Sequence, residues 1–271
     1  MQENDMLKEL RIPGLEQGSR ADECMEKTRE NILDQIQKWL EDIGAPNVLW
    51  IKGYPGVGKA TIATSLVKQL RASTHLGSYF FFQRQRAAEM TPNALWRTVA
   101  YDLAQTYPTV RRHLVEKLKA KEIDLVTANT GDLFRNLVHE PLVASQDISM
   151  ERSPIVVIDA LDECGGLIGQ QSDHRKRLMG SLEMWSQLPG KFKLVVTSRG
   201  EKDVERVFSR IKHDTIDIPA GQTVYPQSAS DIQMFLEDQF QNIREEYETL
   251  SSDWPGPQTI QLLSRRAGVS H

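Results

Sequence analysis

The chain has 271 residues, of which 39% are apolar and 26% charged, and its formal net charge at pH 7 is −4. This composition is typical of a globular protein with a sizeable core, and the slight acidic excess argues against the basic face that commonly binds nucleic acid. Two cysteines are too few for a disulfide scaffold, and neither a signal peptide nor a membrane-length apolar run is present, so we expect an intracellular, cytoplasmic protein with no membrane or nucleic-acid partner.

The N-terminal 25 residues are polar, and Pro13 and Gly14 would interrupt any long helix. We therefore expect residues 1–25 to be a leader or linker. Apolar residues then recur at helical spacing over 28–44, with Thr28 in the N-cap position and Gly44 as the stop signal. This pattern predicts an amphipathic helix.

Short runs rich in β-branched and aromatic residues indicate five strands, which we place at 47–52, 78–83, 154–160, 193–198 and 214–218. Helical patterns separate them, at 61–72, 92–106, 109–121, 131–143, 173–188 and 201–210. Alternating strands and helices favour a mainly parallel sheet covered on both faces. After the last strand, two further helices are predicted at 229–247 and 257–267. The basic run Arg175–Arg177 is read as an exposed helix face.

A glycine-rich loop lies between the first strand and the next helix. Residues Gly53 to Lys59 fit the pattern G-x-x-x-x-G-K, in which backbone amides and a helix N-terminus bind phosphates while the lysine reaches the β and γ groups. The alternative is an ordinary Gly/Pro turn with a solvated lysine. The strand before the loop and the helix after it favour phosphate binding.

Acidic residues end a later strand. In PIVVIDALDEC, Asp159 lies at the carboxyl end of the strand, where it can hold the water shell of Mg²⁺, and either Asp162 or Glu163 can orient an attacking water. The alternative for the latter pair is a solvated acidic turn. Residues 60–153 separate the two motifs and include SYFFFQ; this spacing leaves room for a strand inserted between the loop strand and the Asp159 strand.

The run KLVVTSRGE supplies a third group of polar residues at a strand end. Thr197, Ser198 and Arg199 are expected at the same edge of the sheet, where a guanidinium can sense or neutralise a γ-phosphate. A surface arginine or an ion-pair partner is the alternative.

Four motifs in chain order, TRENIL, GYPGVGKAT, VVIDALDEC and LVVTSRGE, together resemble the NACHT group of STAND ATPases, and most closely the nephrocystin-type NACHT domains of fungal multidomain proteins. The resemblance runs from residue 24 to residue 267. It implies an α/β P-loop NTPase of the additional-strand class, a three-layer α/β/α fold with a mainly parallel five-stranded sheet and a partial helical domain. The implied divisions are a leader over 1–25, an NTPase core over 26–220 and the start of a truncated helical domain over 221–271.

The resemblance also implies a function and a set of site residues. Family members switch between an ADP-bound closed form and an ATP-bound form that self-associates, often in self/non-self recognition and programmed cell death, with effector and sensor domains outside this chain. By analogy Asp159 serves Mg²⁺, Asp162 or Glu163 serves hydrolysis and Arg199 senses the γ-phosphate. The implied ATP/ADP-binding residues are Thr28 and Arg29 near the adenine, and Gly53, Tyr54, Pro55, Gly56, Val57, Gly58, Lys59, Ala60 and Thr61 around the phosphates.

One residue departs from the family pattern. Ala60 stands where a Ser or Thr hydroxyl ligates Mg²⁺ in this class of loop, whereas Thr61 is retained. We therefore expect phosphate binding with weak Mg²⁺ dependence and slow hydrolysis. Two other classes stay open: a nucleotide-binding scaffold that has lost hydrolysis, and a motor-type ATPase, against which Ala60 argues because a motor needs repeated turnover.

Overall fold

Five parallel strands form the centre of the computed structural model, which describes residues 3–12, 14–15, 30–166, 172–218, 233, 236–241, 243–244, 251 and 254–268. The strands are β1 (Val48–Gly53), β2 (Leu76–Phe81), β3 (Ile155–Asp159), β4 (Lys193–Ser198) and β5 (Asp214–Ile218). Their order across the sheet is β2-β3-β4-β1-β5, and every neighbouring pair is parallel.

The sheet order confirms the additional-strand class of P-loop NTPase fold. A strand lies between the loop strand β1 and the Asp159 strand β3, as the spacing predicts. The inserted strand is β4, however, and not the SYFFFQ strand, which is β2 at the sheet edge beside β3. The reason is that strand order depends on pairing between distant segments, which the interval between two motifs does not specify.

Helices cover both faces of the sheet. The helices among the described residues are α1 (Glu3–Lys8), α2 (Glu30–Glu41), α3 (Lys59–Ala72), α4 (Pro92–Thr106), α5 (Pro108–Lys119), α6 (Thr130–Phe134), α7 (Glu140–Ala144), α8 (Asp173–Trp185), α9 (Lys202–Phe208) and α10 (Pro257–Gly268). The predicted helix at 229–247 lies only in part among the described residues, and those described, 233, 236–241 and 243–244, are helical. No helix among the described residues has the length and apolar character needed to cross a membrane.

Successive residues of each central strand enter different cores, which is how the three layers are built. In β1, Val48 and Trp50 belong to the larger core, with α4, α5 and α8, while Leu49 and Ile51 belong to the smaller core, with α2 and α3. Side chains alternate along a strand, so a strand that is apolar on both faces has to be covered on both. The buried β1 is thereby held rigidly under the glycine loop.

The helix predicted at 131–143 is interrupted. Residues Arg135–His139 form a π-helical turn between α6 and α7. Pro141 lies in the first turn of α7 and has no backbone N–H, so the regular hydrogen bond to the preceding turn cannot form there.

The leader interpretation is wrong for residues 3–10. Helix α1 packs against α4 and α5, and Met6, Leu7 and Leu10 are buried in the larger core. Arg97 of α4 also donates from Nη2 to the Glu9 carbonyl at 2.6 Å. Most residues of this segment are polar, so its composition did not indicate burial. Its three apolar side chains nevertheless lie on one face of α1 and the turn that follows it.

Replacing Leu7 with Ala should therefore lower the free energy of unfolding by about 2–4 kcal/mol, because Leu7 is fully buried and the change leaves a cavity. Urea denaturation measures the change. Lys8→Ala on the exposed side of the same helix is the control, with an expected effect below about 0.5 kcal/mol. Equal small effects of both changes would show that α1 does not pack on the core in solution.

Candidate functional site

The glycine loop leaves β1 at Gly53 and enters α3 at Lys59. A Cβ atom on Gly53 would lie 2.8 Å from Val57 Cγ2, so the close approach across the loop requires glycine. Gly56 and Gly58 have φ values of 77° and 88°, a region that favours glycine. The loop thus bends tightly enough to present the N-terminus of α3, with its uncapped backbone N–H groups, to the space above the sheet.

Lys59 is the first residue of α3, and its ammonium lies against the loop itself. Nζ donates to the carbonyl oxygens of Gly53 at 2.7 Å and Tyr54 at 2.8 Å. Burial lowers the pKa of Lys59, an effect opposed first by the Asp162 carboxylate. The cation is therefore held at the mouth of the loop by two neutral acceptors, which a phosphate oxygen can replace with a charge-assisted hydrogen bond.

A cleft of about 330 Å³ opens above the loop at the carboxyl edge of the sheet. In α/β sheets of this kind, ligands bind at this edge. The cleft is lined by residues of the loop, the β3 end and the β4 end, namely Pro55, Gly56, Gly58, Lys59, Ala60, Thr61, Asp159, Ala160, Asp162, Glu163, Thr197 and Arg199. All three predicted motifs therefore meet in one concavity.

Thr197 joins the end of β3 to the end of β4. Its Oγ1 donates to Asp159 Oδ1 at 2.5 Å and accepts from the Ala160 N–H at 3.0 Å. Ala160 itself has a φ of 54°, unusual for a residue with a Cβ, and this turn carries the acidic pair. The buried hydroxyl therefore orients the Asp159 carboxylate and supports the strained turn that follows it.

The two acids of the pair have different partners. Asp162 is 3% exposed and accepts from the Arg199 backbone N–H at 3.0 Å, while its other oxygen lies 3.2 Å from Arg199 Nε. Glu163 Oε2 accepts from the Arg84 backbone N–H at 2.8 Å, after strand β2. Asp162 thus holds Arg199 in place, and Glu163 lines the cleft next to it.

Comparison with known proteins gives the family. A protein-family model described as "Nephrocystin 3, N-terminal" matches residues 27–199, more than half of the chain. The chain belongs to this family. The resemblance to the nephrocystin-type NACHT group of fungi is thereby confirmed.

One curated relative of this nephrocystin-type chain is the vegetative incompatibility protein HET-E-1 of Podospora anserina, 27% identical over 178 residues. The match covers 63% of the chain but 12% of HET-E-1, so the chain spans a small part of that protein.

Two solved structures align with most of the chain. Drosophila ORC bound to DNA has 15% identity and a TM-score of 0.47, covering 98% of this chain and 55% of that one. The Aeropyrum pernix ORC2 protein in its ADP form has 17% identity and a TM-score of 0.45, covering 98% and 61%.

Two sequence-based predictions have different outcomes in this structure. Thr28 and Arg29, expected near the adenine, lie outside the described residues. The basic run Arg175–Arg177 is not a uniformly exposed face, because Arg175 is 0% exposed and paired with acids. Helical periodicity alone would have placed Arg175 with Leu178 and Leu182 on the inner face of α8, a signal that the neighbouring charges obscured.

The residues fit an Mg²⁺ ion only if the nucleotide supplies most of its ligands. Ala60 offers no side-chain oxygen, and Asp159 is 1% exposed with one oxygen accepting from Thr197. The described residues contain no cluster of three or more His, Cys, Asp or Glu side chains that could hold a metal. Mg²⁺ usually keeps several waters and binds through one or two carboxylates plus phosphates, a role in which Asp159 could hold a water.

Proposed function

We propose that this chain is the nucleotide-binding switch domain of a NACHT-type signalling ATPase, with the NTPase core over 26–220 and a helical domain beginning over 221–271. The observation that carries the proposal is the arrangement of Lys59. Its ammonium lies at the N-terminus of the 14-residue helix α3, inside a loop with two left-handed glycines and beneath a cleft. Backbone N–H groups and a partial positive charge at that helix end favour a phosphate chain.

In this proposal the diphosphate of ADP or ATP lies along Gly53 to Thr61, and Lys59 exchanges its two loop carbonyls for phosphate oxygens. The γ-phosphate of ATP would lie towards Asp162, Glu163 and Arg199, which line the far side of the cleft. Arg199 supplies positive charge there, and the Glu163 carboxylate orients the attacking water as a base. Bound Mg²⁺ would neutralise phosphate charge.

Ala60 shapes the expected activity. With no hydroxyl at this position, hydrolysis is slow, and adenine nucleotide binding and release, not turnover, set the state of the switch. The proposal also includes self-association on ATP binding, a cytoplasmic location, and a part in self/non-self recognition or programmed cell death. The vegetative incompatibility named for the relative HET-E-1 supports the part in self/non-self recognition. The same alanine favours a second candidate, a nucleotide-binding scaffold without hydrolysis.

Titration of the purified chain with fluorescent ADP and ATP, with Mg²⁺ and with a chelator, tests the proposal. We expect both nucleotides to bind, and chelation to weaken ATP binding by less than about threefold, since no protein hydroxyl at residue 60 ties the metal to the loop. A much larger loss would show that Mg²⁺ is held normally despite Ala60. Absence of binding at millimolar nucleotide would reject the nucleotide site altogether.

A further inference from the structure

Arg175 is a charged side chain with no contact to solvent. It lies in the first turn of α8 and is 0% exposed, although Lys176 and Arg177 beside it are exposed. A guanidinium that is removed from water needs acceptors for its donors and a compensating negative charge. Its burial therefore requires hydrogen-bond acceptors and carboxylates around it, and the structure provides both.

The partners of Arg175 come from two separate segments. Nη1 donates to the Asp162 carbonyl at 2.7 Å, and Nη2 donates to Glu201 Oε2 at 2.7 Å. Nη2 also donates to Asp203 Oδ1 at 2.9 Å, while Nε pairs with Asp203 Oδ2 at 2.6 Å. Asp162 belongs to the acidic turn after β3, whereas Glu201 and Asp203 follow Arg199 at the start of α9.

These contacts connect the acidic turn, Arg175 and the segment 199–203 at the end of the cleft. The carboxylate of Asp162 binds Arg199, whereas the carbonyl of Asp162 binds Arg175. Arg175 in turn binds the two acids just beyond Arg199. The acidic turn and the segment 199–203 are thus tied together twice, once on the cleft side and once on the buried side.

Few other side chains could do this. The planar guanidinium presents several donors in fixed directions, so it can satisfy a carbonyl and two carboxylates at once, whereas a lysine ammonium is a single point charge. Replacing Arg175 would remove the cation that the Glu201 and Asp203 carboxylates, each 24% exposed, share. Loss of these contacts would loosen the segment that carries Arg199, and a displacement of about 1 Å is enough to impair a precisely oriented group.

We propose that Arg175 is a positioning residue of the phosphate site: it locks the acidic turn against the segment 199–203 and so holds Arg199 where a triphosphate is distinguished from a diphosphate. The inference rests on the proposed nucleotide function and adds a residue that does not line the cleft. The inference assigns the discrimination between ATP and ADP to Arg199 and the contacts that position it, whereas binding of the diphosphate depends on Lys59 and the glycine loop.

The test measures ATP and ADP affinities of the whole chain and takes their ratio. Arg175→Met and Arg199→Met should each reduce the preference for ATP by about tenfold, the value of one lost charge-assisted contact, with ADP affinity changed by less than about twofold. The double variant should lose no more than either single one, because both act through the Arg199 position. Arg177→Met, on the exposed face of the same helix, is the matched control and should behave like the unchanged chain.

The variants also separate positioning from mere stability. Arg175→Lys keeps the charge and should restore only part of the ATP preference, and thermal unfolding checks that each variant is folded. Should Arg175→Met fail to fold, Asp203→Asn removes one partner from outside the cleft and should lower the same ratio. A folded Arg175→Met or Asp203→Asn with an undiminished ratio, or additive losses in the double variant, would overturn the inference.

The unchanged chain distinguishes this inference from the proposed function. If it binds neither nucleotide, the nucleotide function fails and the inference with it. If it binds ATP and ADP equally well, the nucleotide site stands but discrimination by the Arg199 segment, and with it the role of Arg175, is rejected.

Discussion

Lys59→Met is expected to weaken the binding of both ADP and ATP by about 100-fold, the largest effect of any single change considered. The ammonium is available at the loop mouth, held by two neutral carbonyls at 2.7 and 2.8 Å. Methionine keeps the length of the side chain but removes two charge-assisted hydrogen bonds to phosphate, worth about 3 kcal/mol together. Fluorescent nucleotide titration measures the loss.

Lys68→Met is the control for this change, because Lys68 is exposed on the same helix and does not line the cleft. It should leave both affinities within about twofold of the unchanged chain. Both variants should unfold at similar urea concentrations, since the hydrogen bonds of the Lys59 ammonium to described residues lie within the loop. Retained affinity in Lys59→Met would mean that nucleotides, if they bind, do so away from the glycine loop.

The sequence was sufficient to predict the sheet because its central strands are buried on both faces. Strands β1, β3 and β4 consist mostly of Val, Ile, Leu and Trp, and each predicted strand lies within two residues of the observed bounds. Such apolar runs between helical patterns have few alternatives in a globular chain. The parallel α/β class followed from these strands and the helices between them, and the family resemblance added the P-loop NTPase class.

The meeting of the three motifs in one cleft was equally predictable, since parallel strands bring their carboxyl ends to a single edge. The contacts behind the cleft could not be predicted in the same way. The identity of the strand beside β1, the burial of α1 and the partners of Arg175 all depend on contacts between segments far apart in sequence. A basic triplet such as Arg175–Arg177 looks solvated until the acids at 201 and 203 are known to lie behind it.

The different partners of Asp162 and Glu163 likewise could not be predicted from the sequence. The sequence places both acids in one turn and leaves either as the water-orienting group. Only the fold shows that Asp162 faces Arg199, whereas Glu163 reaches the backbone of Arg84 beyond β2. Side-chain direction in a short irregular turn follows from its partners and not from a repeating pattern.

Ala60→Ser should raise the steady-state rate of ATP hydrolysis by about tenfold or more. Ala60 lines the cleft together with Asp159, so a hydroxyl at this position would add an oxygen ligand beside a carboxylate that can hold a water of the ion. The same change should make ATP binding depend on Mg²⁺, with a loss of about tenfold on chelation. Phosphate release assays and nucleotide titrations measure the two effects.

Ala72→Ser, exposed at the other end of α3, is the matched control, because it adds the same hydroxyl far from the loop and should change neither rate nor Mg²⁺ dependence. A rise in Ala60→Ser alone would mean that Glu163, Arg199 and Asp159 already form a competent hydrolytic site that lacks only a metal ligand. If Ala60→Ser gains Mg²⁺-dependent binding but no turnover, the remaining groups are not placed for hydrolysis. The domain would then act as a nucleotide-binding scaffold, whose state changes through nucleotide exchange and not through cleavage.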